Sequence, residues 1–107
     1  MKKLKILAFR VGKPAQIEEI EEGLKAMQGF VGGRIEIVSP APGIDLVCNE
    51  EGILLGLEPN RMIPNISGII HGDFFLCTHD DEGESVSLTD DQLEFLHNTL
   101  DRVWAHY

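Results

Sequence analysis

The chain is short of positive charge. Nine Lys and Arg stand against 18 Asp and Glu among 107 residues, a formal net charge of −9. Phosphate backbones and anionic membrane surfaces require a basic face, so no direct nucleic-acid binding and no membrane association are expected. Long apolar runs are lacking as well, and none approaches the roughly 18–20 residues that span a bilayer. The opening Met1-Lys2-Lys3-Leu4-Lys5-Ile6-Leu7-Ala8-Phe9 starts like a signal peptide. Arg10, Gly12 and Lys13 then interrupt it and no small-residue cleavage site follows, so it reads as a strand of a cytoplasmic protein. Cysteine is scarce. Cys48 and Cys77 both sit in apolar segments, which excludes a disulfide scaffold and points to buried thiols in a reducing compartment. Linkers, internal repeats and low-complexity stretches are absent, so residues 1–107 read as one domain.

What is present is an ordinary globular composition, with 43% hydrophobic and 25% charged residues. The charge is polarised along the chain. Residues 1–13 hold Lys2, Lys3, Lys5, Arg10 and Lys13 and no acid, leaving four basic against 18 acidic groups in the remainder. The acids concentrate at Glu18-Glu19, Glu21-Glu22, Asp80-Asp81-Glu82 with Glu84, and Asp90-Asp91. Solvated helix faces and a loop account for such runs; a surface imitating the charge of DNA is the sharper alternative.

Leu4 to Val11 reads as a first strand that turns at Gly12-Lys13-Pro14, with a short second strand at 15–19. Ile17, Ile20, Leu24, Met27 and Val31 fall at alternating spacings of three and four, which predicts an amphipathic helix over about 17–31, stopped by Gly32-Gly33. Strands are expected at Arg34–Val38 and Ile44–Cys48, and a tight turn at Asn49-Glu50-Glu51-Gly52. Ile53-Leu54-Leu55 then reads as a strand or the start of a short helix, and 56–64 as irregular. Gly68 to Thr78 is the longest β-type run, with Gly72 marking a bulge. The acidic loop at 79–85 leads to a complete helix start. Thr89 is the N-cap, Gln92 closes a capping box, and Leu88 with Leu93 have staple spacing. Leu93, Leu96, Leu100, Val103 and Tyr107 continue its apolar face, predicting a helix over about 90–106. The expected fold is α+β: a two-layer sandwich of a mixed, mainly antiparallel sheet with the two amphipathic helices on one face.

Few residue sets could carry chemistry. His71, Asp73, Cys77 and His79 form the best metal-ligand series, because Cys77 and His79 would point the same way from a strand. Their spacing matches no standard zinc motif, and a buried cysteine beside a surface histidine at the strand end explains them better. His97 and His106 are too far apart to chelate together, and His106 suits a helix C-terminus. Cys48, Cys77, Ser85 and Ser87 lack a nucleophile elbow or base context. Gly29-Phe30-Val31-Gly32-Gly33 follows a helix, whereas a phosphate loop precedes one. Polar loops pinned by Gly and Pro remain, at Asn49–Gly52 and Gly56–Arg61. Asn49, Asn60 and Arg61 are the candidate ligand-binding residues. Arg61, a lone cation in an acidic stretch, would pair with Glu50, Glu51 or Glu58 or hold an anionic ligand.

Val47-Cys48-Asn49-Glu50-Glu51-Gly52, Gly56-Leu57-Glu58-Pro59-Asn60-Arg61, Ile70-His71-Gly72-Asp73-Phe74-Phe75 and Ser87-Leu88-Thr89-Asp90-Asp91-Gln92 together resemble the small uncharacterised domain-of-unknown-function family 3846. The resemblance implies a passenger of phages, plasmids and conjugative elements of Gram-positive bacteria. It carries over no catalytic residue and no cofactor.

The resulting expectation is a non-enzymatic accessory protein of a mobile element that binds a protein or a small anionic ligand. An anti-defence protein, acting as an acidic DNA mimic or a nucleotide-signal binder, is the second reading. A metal-dependent enzyme using His71, Asp73, Cys77 and His79 is the third. A homodimer through an exposed sheet face or edge is compatible with all three.

Overall fold

The computed structural model describes residues 3–64 and 68–106, with side chains throughout except at 101–103, 105 and 106. Three apolar strands make its centre: β1 (Lys3–Phe9), β4 (Ile44–Asn49) and β7 (Phe74–His79). Each is buried along most of its length, because both faces of the sheet are covered and alternate side chains enter two different cores. Leu7, Phe9, Leu46, Cys48, Phe74 and Leu76 point to one side; Leu4, Ile6, Ala8, Val47, Phe75 and Cys77 point to the other. The outer strands are β2 (Gln16–Glu21) and β3 (Ile35–Ala41), giving the order β2-β1-β7-β4-β3 with every pairing antiparallel.

The α+β class, the antiparallel sheet and the two helices agree with the sequence. The layering does not. Helix α1 (Leu24–Val31) covers one face through Met27 and Val31, whereas α2 (Asp90–Val103) covers the opposite face through Leu93 and Leu96. The helices cannot share a face, because the central strands carry large apolar side chains on both.

The first helix is also shorter than its periodicity predicted. The short second strand expected at 15–19 is present and longer, since residues 16–21 pair with residues 3–8 of β1 as a hairpin, with Leu4 opposite Ile20 and Leu7 opposite Ile17. The spacing of three between Ile17 and Ile20 therefore places them on opposite faces of a strand. Ile20 packs against the α1-side core, while Ile17 is exposed. The bare edge of β1 captured a segment with a helical pattern, and tertiary pairing overrode local periodicity. The terminator at the other end of α1 is as expected: the N–H groups of Gly32 and Gly33 both donate to the Gln28 carbonyl.

The capping box of α2 is complete. The Thr89 hydroxyl accepts from Gln92 N–H at 3.1 Å, and Gln92 Oε1 accepts from Thr89 N–H at 2.9 Å. Leu88 and Leu93 are both buried beside it. This helix stops at Val103 rather than continuing to 106. Residues 105–106 form a strand, β9, against β5 (Pro59–Met62). Trp104, at the junction, packs against Phe9 and Phe74, and Phe9 and Phe74 stack with centroids 4.8 Å apart.

Two β-type readings change. The run at 68–78 is two strands in different sheets, β6 (Ile69–His71) and β7, broken at Gly72 with φ +85°. A side chain at Gly72 would meet Leu57 Cδ1 at 2.7 Å in addition to that strained backbone, so glycine is required there. The segment at 56–64, expected to be irregular, contributes β5, the middle of a small sheet ordered β6-β5-β9. A two-residue strand, β8 (Ser85–Val86), pairs with the end of β7.

Candidate functional site

Arg61 and Asn60 are entirely buried, at 0% exposure. Asn60 Nδ2 donates to the carbonyls of Phe9 and Gly72, both at 2.8 Å. Its Oδ1 accepts from the Arg61 guanidinium at 2.7 Å. Arg61 also donates to the Asn60 carbonyl at 3.2 Å and the Lys13 carbonyl at 2.6 Å, and lies over the Phe9 ring at 5.4 Å. The pair thus ties β1, the 10–13 turn and the 71–73 connection to β5. Neither Glu50, Glu51 nor Glu58 receives this guanidinium among the bonds described. The guanidinium is wholly buried, and the bonds described join it to Asn60 and to the Lys13 carbonyl.

Asn49 lies elsewhere. It is buried beside the end of α1, where Nδ2 donates to the Val31 carbonyl at 3.1 Å and Oδ1 accepts from Glu51 N–H at 2.7 Å. One side chain therefore satisfies an orphan helix carbonyl and starts the next turn. The structure does not bring Asn49 together with Asn60 and Arg61.

The metal-ligand series is dispersed too. Asp73 accepts from Arg10 Nη1 at 3.1 Å and from Val11 N–H at 2.9 Å. His71 Nδ1–H donates to the Leu57 carbonyl at 3.0 Å, and His79 Nδ1–H donates to Asp45 at 2.9 Å. Cys77 is buried in the α1-side core, where desolvation pushes its thiol up to about 12, aided by the charge of Asp45. Among the described residues, no three His, Cys, Asp or Glu side chains are grouped to hold a metal ion. Cys48, in the α2-side core, is raised to about 11, first by burial and then by Glu36. Thiols so placed are protonated at neutral pH and are poor nucleophiles. His97 Nε2–H donates to the Ala15 carbonyl at 2.8 Å. The His106 side chain lies outside the described residues.

A further feature is the segment between the two polar loops, expected as a strand or the start of a short helix. Ile53, Leu54 and Leu55 form neither strand nor helix. They occupy a run of tight turns and are 73%, 84% and 55% exposed. The turn is well fastened. Leu55 N–H donates to the Glu51 carbonyl at 2.9 Å, Gly56 N–H to Ile53 at 3.1 Å, and Leu57 N–H to Gly52 at 2.9 Å. His71 holds the Leu57 carbonyl, Gly72 N–H holds Glu58 at 2.7 Å, and Asn49 holds the entry. Gly52 packs so tightly on His71 that a Cβ would come within 2.9 Å of its carbonyl oxygen. The signal was available: three consecutive aliphatic residues between Gly52 and Gly56, flanked by Glu50, Glu51 and Glu58, are too few for a core strand.

A depression of about 160 Å³ lies beside this knob, lined by Asn49, Glu50, Ile53, Leu54, Ile70 and His71 among others. That is smaller than the roughly 300–1,000 Å³ of typical small-molecule sites. A larger hollow of about 490 Å³ is lined by Glu22, Asp80 and Glu84, whose charge repels anions. Near the knob, Arg34 lies 3.4 Å from Glu50 in an exposed pair of little energetic weight.

Among the described residues no helix is long and apolar enough to cross a membrane. Fold and site together define a small α+β domain that displays a hydrogen-bonded apolar turn. The chain belongs to the family described as domain of unknown function DUF3846, whose profile matches residues 1–101. No curated protein and no protein of solved structure matches it.

Proposed function

We propose that this chain is a non-enzymatic binding protein, an accessory of a mobile genetic element, that docks on a protein partner through the turn at 50–58. The observation that carries the reading is the exposure of Ile53, Leu54 and Leu55 side by side on a turn fixed by backbone hydrogen bonds. Solvent-exposed aliphatic clusters are unfavourable unless covered, and contiguous ones mark interaction surfaces. The turn is already ordered, so docking it would cost little conformational entropy. Glu50, Glu51 and Glu58 flank the apolar tip. The complementary partner has an apolar socket with Lys or Arg on its rim, which favours encounter at low salt.

The test is crosslinking capture from a Gram-positive bacterial lysate, comparing the native chain with Ile53→Ser/Leu54→Ser/Leu55→Ser. A species captured by the native chain, lost with the variant and weakened by salt is the expected result. Capture that is equal for both proteins, or absent from both, removes the reading. Circular dichroism of the variant establishes that its fold is retained.

A further inference from the structure

The sheet ends in two open edges, and they are protected very differently. Exposed edges are templates for pairing with another strand unless charge, proline or a bulge blunts them. β2 reads Gln16-Ile17-Glu18-Glu19-Ile20-Glu21. Two copies related by a two-fold axis must pair a residue with one of the same hydrogen-bonding parity. Every such register centred within residues 18–20 then sets glutamate directly against glutamate, which is destabilising. β3 reads Ile35-Glu36-Ile37-Val38-Ser39-Pro40-Ala41; its second half is blunted by Pro40 and a register shift between Val38 and Ala41, whereas its first half, 35–38, is regular and holds one charge.

The direction of the β3 backbone groups follows from its pairing with β4. The Arg34 carbonyl accepts from Glu50 N–H at 2.8 Å, and the register continues through Glu36 opposite Cys48 and Val38 opposite Leu46. Residues 34, 36 and 38 therefore bond to β4. By the two-residue alternation of an antiparallel ladder, Ile35 and Ile37 aim their N–H and C=O groups outward; the alternation is interrupted by the register shift between Val38 and Ala41. Ile37 is 48% exposed although its neighbour on the sheet, Val47, is wholly buried.

We infer that β3 is a self-association edge, and that a second copy of this chain pairs with it antiparallel about a two-fold axis through Ile37. This register sets Glu36 opposite Val38, so no charge meets its like within the regular stretch 35–38. Centring on Glu36 instead would oppose the two carboxylates. The outward groups of Ile37 then bond to those of its counterpart, and the two isoleucine side chains cover each other. The turn at 50–58 adjoins this edge, since Glu36 lines the same depression as Ile53 and Leu54, but the inference rests on the β3 backbone and Ile37 and not on the exposed turn residues.

Sedimentation equilibrium of the full chain tests it. The expected result is a reversible species of twice the 11.9 kDa chain mass, strengthened by salt because each copy carries −9. Ile37→Lys sets like charges opposite each other and weakens the dimer by about tenfold or more. Ile17→Lys, on β2, leaves it unchanged. Ile37→Cys forms an interchain disulfide on mild oxidation, because the expected Cα separation of about 5.5 Å suits the bond. The native thiols do not compete, since both are buried. A monomer at about 1 mM, or a dimer unchanged by Ile37→Lys and without the Ile37→Cys crosslink, overturns the inference.

Discussion

Ile53, Leu54 and Leu55 stand in solvent, whereas Asn60 and Arg61, a few residues further on, are wholly buried. Ordinary partition would reverse both. The buried polar pair is supported because Asn60 Nδ2 and the two Nη atoms of Arg61 donate to carbonyls that need them, those of Phe9, Gly72, Asn60 and Lys13. The exposed aliphatic group has no such support within the chain; what is supported is the backbone beneath it. The two regions are mechanically joined, since Gly72 receives Asn60 through its carbonyl and holds Glu58 through its N–H. One region acts as the clamp and the other as what the clamp presents.

The contrast can be broken most severely at the clamp. Arg61→Ala leaves buried carbonyls and Asn60 Oδ1 without their donor, and a loss of about 3–5 kcal/mol is expected from denaturant unfolding. Arg61→Lys should recover little of it, because an ammonium cannot reproduce the planar fork. Asn49→Ala, at the other root of the turn, should cost about 1–3 kcal/mol and also weaken partner capture, as the entry to the turn loosens. Arg10 offers a half-exposed counterpart to Arg61. It binds Glu18 through two bonds of 2.8 and 2.9 Å, contacts Asp73, and lies 4.5 Å from the centre of the Phe30 ring. The Arg10 bonds hold the Glu18 carboxyl below its ordinary 4.5. A lowered carboxyl contributes stability above the ordinary value and loses it as pH falls through the folded value. Glu18→Gln should therefore cost under about 1 kcal/mol at neutral pH, converging with the native protein in acid. The smallest effect on stability belongs to the presented residues. Ile53→Ser/Leu54→Ser/Leu55→Ser should move unfolding by no more than about 0.5 kcal/mol while removing partner capture. A large loss of stability there would mean that the trio packs inward.

Legibility followed the range of the interactions. The start of α2 was readable to the residue because Thr89, Gln92, Leu88 and Leu93 interact within one turn. The central strands were readable because their apolar runs need two covered faces. The second strand at 15–19 was read, but the helix was begun at 17 instead of 24 because Ile17, Ile20 and Leu24 also satisfy helical spacing, and only the vacant edge of β1 decides between the two. Arg61 was conspicuous as an isolated cation, yet its partners at Lys13 and Asn60 are mostly backbone atoms, which no side-chain pattern reveals. The metal-ligand series rested on one continuous strand, and the break at Gly72 placed His71 in another sheet. Ile53–Leu55 was treated as an element because apolar residues are usually buried, which is the rule a presented surface violates.

The pairing of β1 with β7 has a consequence in time. It sets Leu7 against Leu76, so the middle of the sheet closes only after most of the chain is available. Until then β1 has one partner, the local hairpin strand β2, while its other edge waits bare. Non-local closure of this kind is slow relative to helix or hairpin formation. β1–β2 and β3–β4 are both local hairpins, and of their outer strands β2 carries the run of glutamates, whose mutual repulsion opposes pairing of one copy with another. Charge that lines the finished edge therefore also opposes edge-to-edge pairing before the sheet has closed.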